Sequence, residues 1–317
     1  MLAIFSTKRW RQTLMSIVFG VCFIALPVLL GACGSTTTGN GGGTPTSNAL
    51  PCNTQANSGP TPTPYPTTAS LTAPNDLITA GTLTVGSDTT YPPQEFIDTT
   101  TGNPEGFDVD LITAMAQKLG LKAKVVTANF NTILDDLSAK RFDVVISAIT
   151  INSDRLVKAD FVPYFLAGES LLVPMGNPNK VSCVHNLCGM KVGVQSGTVE
   201  LDDLNAGSKD CTKAGKPAIQ LTVLTDQTAV IQLLVNKRVD ATYQDSPVTD
   251  YYIKQNPGQF EIGGSVVNAA AEGIAVRKND TSMLNAMQAA MTAVKTDGTY
   301  DSLFTKWQLN SAQKIGG

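Results

Sequence analysis

Two kinds of hydrophobic pattern alternate along the chain from about residue 80. Residues 82–86 are rich in β-branched and apolar side chains, which predicts a strand. Apolar residues then recur at helical spacing after Asp108, the expected N-cap, and before Gly120, the expected stop. Further strands are predicted at 122–126 and 142–146, with a helix between them that Asn131 caps. This strand–helix order predicts a doubly wound parallel sheet.

The same order repeats in the second half of the chain. Strands are predicted at 191–194, 221–224 and 239–243, and helices begin near Thr198 and Thr228. A strand at 273–276 then returns, followed by a long helix whose methionines we interpret as core residues. The expected architecture is α/β with two lobes joined by crossing strands. Each lobe would hold a mostly parallel sheet flanked by helices, and the expected boundaries are 75–168 plus 267–317 for lobe 1 and 169–266 for lobe 2.

The N-terminus has the layout of a secretory signal. Lys8, Arg9 and Arg11 precede an apolar run over 14–30, which ends in Leu30-Gly31-Ala32-Cys33. The end of this run resembles the bacterial lipobox, which implies cleavage after residue 32 and a lipid on the thiol of Cys33. The alternative is an uncleaved transmembrane anchor, because the run is nearly long enough to span a bilayer.

Composition supports export and argues against nucleic acid. Residues 33–74 are mostly Gly, Ser, Thr, Pro and Asn, so we expect a flexible tether that holds a folded body outside the membrane. The net charge is −3, and no cluster of Lys and Arg occurs that could hold a phosphate backbone. The expected location is therefore extracytoplasmic, with attachment to the cell membrane through Cys33.

Four cysteines besides Cys33 fall within the predicted exported body or its tether. An even number in an exported chain favours disulfides. Cys188 and Cys211 flank a predicted strand–turn–helix unit, so we pair them, which leaves Cys52 with Cys183.

A zinc site is the alternative for these cysteines. Cys183, His185 and Cys188 are close in sequence, but zinc would need a fourth ligand, and we expect no metal. His185 is the single histidine of the chain, so Ser-His and Cys-His nucleophile schemes have no other histidine to use.

Seven motifs follow one another in a fixed order along residues 75–310. They are Gly86-Ser87-Asp88-Thr89-Thr90-Tyr91-Pro92-Pro93, Gly106-Phe107-Asp108-Val109-Asp110-Leu111, Arg141-Phe142-Asp143-Val144-Val145-Ile146-Ser147, Ile149-Thr150-Ile151-Asn152-Ser153-Asp154-Arg155, Gly193-Val194-Gln195-Ser196-Gly197-Thr198, Arg238-Val239-Asp240-Ala241 with Asp245, and Asp297-Gly298-Thr299-Tyr300 through Lys306-Trp307. Each motif is weak alone, but their order is specific and resembles the polar amino-acid-binding family of ABC-transporter solute-binding proteins. The resemblance implies a periplasmic-binding-protein type II fold with the ligand cleft between two lobes.

The charged residues in these motifs suit the binding of a zwitterion. A site for a free amino acid needs one fixed cation and one fixed anion. Arg155 suits the α-carboxylate because its planar fork can donate two parallel hydrogen bonds. Asp245, just past a predicted strand, is the candidate for the α-ammonium. The expected additional donors to the ligand are Ser147, Thr150, Gly197 and Thr198.

Three more residues are expected around the ligand side chain. Tyr91 and Phe130 match positions where the family places aromatic rings on the ligand, although both could be plain core residues. Asp88 matches a position that often binds a polar or cationic side-chain end. The resemblance therefore implies a polar ligand such as Gln, Arg, Lys or His, and Asp88 would repel an acidic one.

The resulting hypothesis is a monomeric, lipid-anchored binding protein of an ABC importer. It would close on its amino acid by a hinge near Ala167 and Gly168 and deliver it to a membrane permease, without covalent chemistry or a cofactor. Two alternatives remain on the same fold. One is an extracytoplasmic dehydratase or lyase, and the other is a sensor module that presents its ligand to a receptor.

Overall fold

The computed structural model describes Cys52 and residues 70–316. The predicted signal, the lipidation site Cys33 and most of the predicted tether lie outside the described residues. Within the described part of the chain, no helix combines the length and hydropathy that a bilayer crossing requires.

Twelve strands and eight α-helices make up the described body. The strands are β1 (Thr82–Ser87), β2 (Thr90–Tyr91), β3 (Glu95–Ile97), β4 (Pro104–Glu105), β5 (Lys122–Thr127), β6 (Val144–Val145), β7 (Ala159–Pro174), β8 (Lys191–Gln195), β9 (Gln220–Leu224), β10 (Ala241–Asp245), β11 (Phe260–Ile262) and β12 (Val267–Arg277). The helices are α1 (Phe107–Lys118), α2 (Ile133–Ser138), α3 (Ser153–Lys158), α4 (Val199–Lys213), α5 (Gln227–Val235), α6 (Ser246–Gln255), α7 (Thr281–Thr296) and α8 (Thr299–Lys306).

One mixed sheet runs through both lobes. Its strand order is β5-β1-β6-β12-β7-β10-β8-β9, and β11 pairs with β7. The predicted parallel pairings occur at its two ends, where β1 lies between β5 and β6, and β8 lies between β10 and β9. Antiparallel pairing of β12 and β7 joins these ends into one sheet, whereas the sequence predicts a mostly parallel sheet in each lobe.

Each end of the sheet is covered by its own apolar core. The first core packs α1 and α7 on the sheet through fully buried residues such as Leu83, Leu111 and Met287. The second packs α4 on β8 and β10 through Val192, Leu204 and neighbouring residues. These are the two largest apolar clusters of the described residues, one at each end of the sheet.

Two predicted helix caps are wrong. Helix α1 begins after Gly106, and the Asp108 side chain is buried and accepts a hydrogen bond from Tyr164 Oη at 2.5 Å. Asn131 caps no helix, because the amide oxygen of Asn129 accepts the N–H of Asn131 at the start of a short 3-10 helix. Each predicted cap lies two positions after the observed one, which is Gly106 for Asp108 and Asn129 for Asn131.

Both expected disulfides are present, Cys52–Cys183 and Cys188–Cys211. Since Cys183 and Cys188 are both oxidised, neither can serve the zinc alternative. The sequence predicts that Cys52 lies in the tether, and its disulfide joins it to the second lobe.

Two contacts close the rim of the cleft between α6 and the C-terminal segment. Lys254 Nζ donates to the Gln308 carbonyl oxygen at 3.0 Å. The Phe96 ring lies 6.2 Å from the Tyr251 ring across the cleft and meets Trp307 edge-on at 5.9 Å. The lobes are therefore in contact here.

The strands that cross between the lobes are irregular near residue 168. The register of β7 against β12 shifts between Val267 and Ala270. A Cβ on Gly168 would lie 2.6 Å from Val266 Cγ1 and 2.7 Å from the Val267 carbonyl oxygen, so the close approach of the two strands requires glycine here.

Candidate functional site

A small polar cavity lies between the lobes, where strand ends and helix starts meet. First-lobe residues on one wall face second-lobe residues on the other. The lining residues are Asp88, Tyr91, Glu95, Phe130, Ser147, Ala148, Thr150, Arg155, Gln195, Thr198, Val199, Glu200 and Asp245. Eight of the nine residues predicted to bind ligand are in this lining. The ninth, Gly197, lies in the adjoining mouth of the cleft with Asn131 and Arg155.

Arg155 is held at the junction of the lobes. Its Nη1 donates to the Thr150 carbonyl oxygen at 2.8 Å, and its Nη2 donates to the Gly197 carbonyl oxygen at 3.2 Å. The guanidinium also lies 5.4 Å from the centre of the Phe130 ring, within range of a cation–π contact. One hydrogen bond goes to each lobe, so the position of this cation depends on closure.

Asn152 determines where the helix of Arg155 begins. Its Oδ1 accepts the Arg155 backbone N–H at 2.9 Å, which caps α3. Removing such a cap costs about 1 kcal/mol. We expect Asn152→Ala to lower the free energy of unfolding by about this amount in urea denaturation. An unchanged midpoint would show that α3 does not depend on this cap.

Asp245 and Tyr91 meet across the cleft. Tyr91 Oη donates to Asp245 Oδ2 at 2.9 Å and accepts the Asp245 backbone N–H at 3.1 Å. Burial raises the pKa of Asp245 to about 7, although the Tyr91 hydrogen bond and the charge of Arg155 oppose this. Asp245 is the last residue of β10, at the carboxyl end of the strand.

Asp88 lies at another part of the cavity and is bonded to both lobes. It accepts a hydrogen bond from Thr90 Oγ1 at 2.9 Å and another from Gln195 Nε2. Burial raises the pKa of Asp88 to about 6, and the charge of Asp226 adds to this, while the hydrogen bonds from Thr90, Gln195 and the Phe130 backbone lower it.

Ser147 and Thr198 have local hydrogen-bond partners. Ser147 Oγ accepts the Asp88 N–H at 2.9 Å and donates to Glu95 Oε1 at 3.0 Å. Thr198 Oγ1 donates to the Gln195 carbonyl oxygen at 2.9 Å and caps α4 by accepting the Leu201 N–H at 3.2 Å. Thr198, Val199 and Glu200 at the start of α4 line the cavity together with Arg155. The N-terminus of a helix favours an anion.

Gly197 has a steric role that the sequence does not show. Its φ is +79°, and a Cβ there would lie 2.8 Å from Asn131 Cα in the opposite lobe. Only glycine allows this approach without displacement of backbone. Its carbonyl oxygen accepts from Arg155. Donation from its N–H to the ligand stays a prediction.

Two acidic residues of the lining were missed by the sequence analysis. Glu95 is 1 % exposed and Glu200 is 2 % exposed, and each has one carboxyl oxygen without a hydrogen-bond partner in the described region. Burial raises the pKa of both well above the usual value. Glu95 follows two prolines at the start of a short strand, and Glu200 lies in a first helical turn where acids are common, so neither position signals a site.

The cavity therefore carries an excess of carboxyl groups. Asp88, Glu95, Glu200 and Asp245 face a single guanidinium, that of Arg155. In the described region no group of three or more His, Cys, Asp or Glu side chains is arranged to hold a metal. The arrangement can hold an anion beside Arg155 and one or more organic cations beside the carboxyl groups.

The chain matches a known family over most of its length. The profile of bacterial extracellular solute-binding proteins, family 3, matches residues 83–310. The L-cystine-binding protein TcyJ of Escherichia coli (strain K12) is 30% identical over 234 residues, which cover 74% of this chain and 85% of that protein.

Solved structures share the fold as well as sequence. An ancestral arginine-binding protein bound to arginine superposes with a TM-score of 0.66 at 37% identity, over 72% of this chain and 98% of that one. The ancestral amino acid-binding protein AncCDT-1, a precursor of cyclohexadienyl dehydratase, gives 0.64 at 34% identity over 72% and 95%.

Proposed function

Because the chain belongs to the bacterial extracellular solute-binding proteins of family 3, we propose that it captures a basic amino acid for an ABC importer. The observation that supports this most directly is the carboxyl excess of the cavity. The amino-acid zwitterion alone is neutral, so Asp88, whose pKa of about 6 leaves it ionised at neutral pH, requires a further cation on the ligand. Arginine, lysine and ornithine provide one.

The ligand lies with its α-carbon between Arg155 and Asp245. Arg155 and the start of α4 bind the α-carboxylate, and Asp245 binds the α-ammonium. The side-chain cation reaches Asp88 and Glu95, and Phe130 packs against the aliphatic chain. The similarity to an ancestral arginine-binding protein supports this assignment.

The same proposal includes closure, anchoring and delivery. Lobe 1 comprises 75–168 plus 267–317 and lobe 2 comprises 169–266, with a hinge at Ala167 and Gly168. The ligand bridges both lobes, so it binds the closed state better and shifts the population toward it. A lipid on Cys33 holds the monomeric protein at the membrane, where the closed form meets the permease.

A thermal-shift screen tests the ligand class. Arginine, lysine and ornithine are expected to raise the midpoint of unfolding most, by binding the native state. Glutamine is a neutral control of similar length, glutamate an anionic one, and L-cystine tests the ligand that a relative's name gives. A larger rise with glutamine, glutamate or cystine than with arginine would contradict the proposed class.

An enzyme is the second candidate, favoured by the raised pKa values of Glu95 and Glu200. A buried protonated carboxyl can act as a general acid in a dehydratase or lyase, and AncCDT-1 is a precursor of a dehydratase. Mass spectrometry of candidate amino acids and hydroxylated cyclic acids after incubation would reveal a product. Unchanged compounds are expected for a binding protein.

A further inference from the structure

The Glu200 side chain is buried in the cavity, which its position in the first turn of a helix does not explain. It is the second residue of α4, and an acid in a first helical turn usually faces water. The Glu200 side chain instead points inward, is 2 % exposed, and its Oε1 has no hydrogen-bond partner among the described residues. A buried oxygen of this kind, at the wall of a cavity, is available to a ligand.

The groups that face Glu200 come from four elements. The charges of Asp245 on β10 and Glu169 on β7 oppose ionisation of Glu200, and Arg155 on α3 favours it. The hydroxyl groups of Tyr91 on β2 and Tyr243 on β10 lie close enough to be affected by its charge.

One guanidinium therefore faces two carboxyl groups of the same cavity wall. Arg155 can compensate one negative charge, while Glu200 and Asp245 would carry two. Two buried carboxylates that are close together cannot both ionise without a compensating cation, so such a pair holds a proton. Burial raises the pKa of each member, in agreement with this geometry.

We propose that Glu200 is a second anionic contact for the ligand's α-ammonium, and that the Glu200–Asp245 pair releases a proton when this ammonium enters. The inference rests on the proposed function, because it requires an amino-acid ligand in this cavity. The ammonium keeps its own three protons, and the released proton passes from the carboxyl pair to solvent. At the carboxyl pair the ammonium charge takes the place of the released proton, while the α-carboxylate pairs with Arg155.

Calorimetry with L-arginine tests the proton count. Titrations at pH 6.5 in buffers of different ionisation enthalpy give the number of protons released per ligand bound. We expect Glu200→Gln to release fewer protons than the wild type, since only Asp245 of the pair can then hold one. Asp202→Asn is the matched control, because Asp202 is exposed on the same helix, and its proton release should equal that of the wild type.

A ligand analogue tests the same point in the unmodified protein. The compound 5-guanidinopentanoate is arginine without the α-ammonium, so it should leave the proton on the carboxyl pair. Equal proton release for arginine and this analogue, or for wild type and Glu200→Gln, would overturn the proposal. Should Glu200→Gln not fold, Glu200→Asp keeps the carboxyl group, and the comparison of the two ligands still decides.

If the proposed function is wrong, these experiments should give a different result. In that case L-arginine would neither produce heat on titration nor raise the midpoint of the wild type. A wild type that binds L-arginine without the predicted proton release leaves the proposed function intact and removes only the role of Glu200.

Discussion

Arg155→Ala is expected to weaken L-arginine binding by about 2–5 kcal/mol, roughly 30- to 5,000-fold in Kd. The reason is that the α-carboxylate would enter the closed cleft without its charged partner. The variant also loses the two hydrogen bonds to the Thr150 and Gly197 carbonyl oxygens. Since the second bond joins the lobes, closure should weaken together with binding. Isothermal titration calorimetry measures the loss.

Arg141→Ala is the matched control for this substitution. Arg141 is also in the first lobe, but its side chain is 69% exposed and forms a surface ion pair with Asp136 at 3.1 Å. Such pairs contribute about 0–1 kcal/mol to stability, and this one is remote from the ligand cavity. An affinity in Arg155→Ala equal to that of Arg141→Ala, in folded protein, would exclude Arg155 from the site.

The unliganded protein is expected to lose stability as the pH rises from about 5 to 8. Burial raises the pKa of Asp88 to about 6, of Asp108 and Asp245 to about 7, and of Glu169 to about 8. The corresponding pKa values in the unfolded chain are about 4. The folded state therefore binds more protons than the unfolded state in this range, and the free energy of unfolding falls with rising pH.

This contribution is complete below about pH 4 and is lost as the pH rises through the folded-state pKa values. Asp88 alone, shifted by about two pKa units, corresponds to about 3 kcal/mol. Thermal unfolding from pH 5 to pH 8 measures the trend. A basic ligand replaces the missing protons, so L-arginine should raise the midpoint more at pH 8 than at pH 5. A midpoint of the unliganded protein that is flat or rises over this range would contradict the prediction.

The variant Asp88→Asn tests the contribution of Asp88 to this pH dependence. In Asp88→Asn the side chain stays neutral at every pH, so the midpoint should fall less steeply between pH 5 and 8. Asp154→Asn is a suitable control, because Asp154 is an exposed carboxylate in the first lobe. A slope in Asp88→Asn equal to that of the wild type would show that Asp88 is already ionised at pH 5.

The fold was accessible from sequence because its signals are local. The alternating strands and helices of both halves show in residues a few positions apart, and so does the cap of Asn152 on the helix of Arg155. The joining of both halves into one sheet was not visible, because it depends on pairing of β7 with β12 across more than a hundred residues. Asp108 was assigned as a cap for the same reason, since its partner Tyr164 is distant in sequence.

Some residues of the candidate site could be predicted from the sequence and others could not. Arg155 and Asp245 have residue types and positions that fit a zwitterion, and the structure places both in one cavity. Glu95 and Glu200 have no such signal, because the sequence does not reveal which acidic residues lose contact with water. The excess of carboxyl groups in the cavity, which supports the proposed ligand class, is therefore visible only in the structure.

The contact of Phe96 with Trp307 and Tyr251 has a practical consequence for kinetics. The chain contains two tryptophans, and Trp10 lies in the segment that we expect to be cleaved, so Trp307 would be the sole indole fluorophore of the mature protein. Its ring touches Phe96, which faces Tyr251 of the opposite lobe. Opening of the cleft would change the surroundings of this fluorophore, so stopped-flow emission could time the motion without an attached dye.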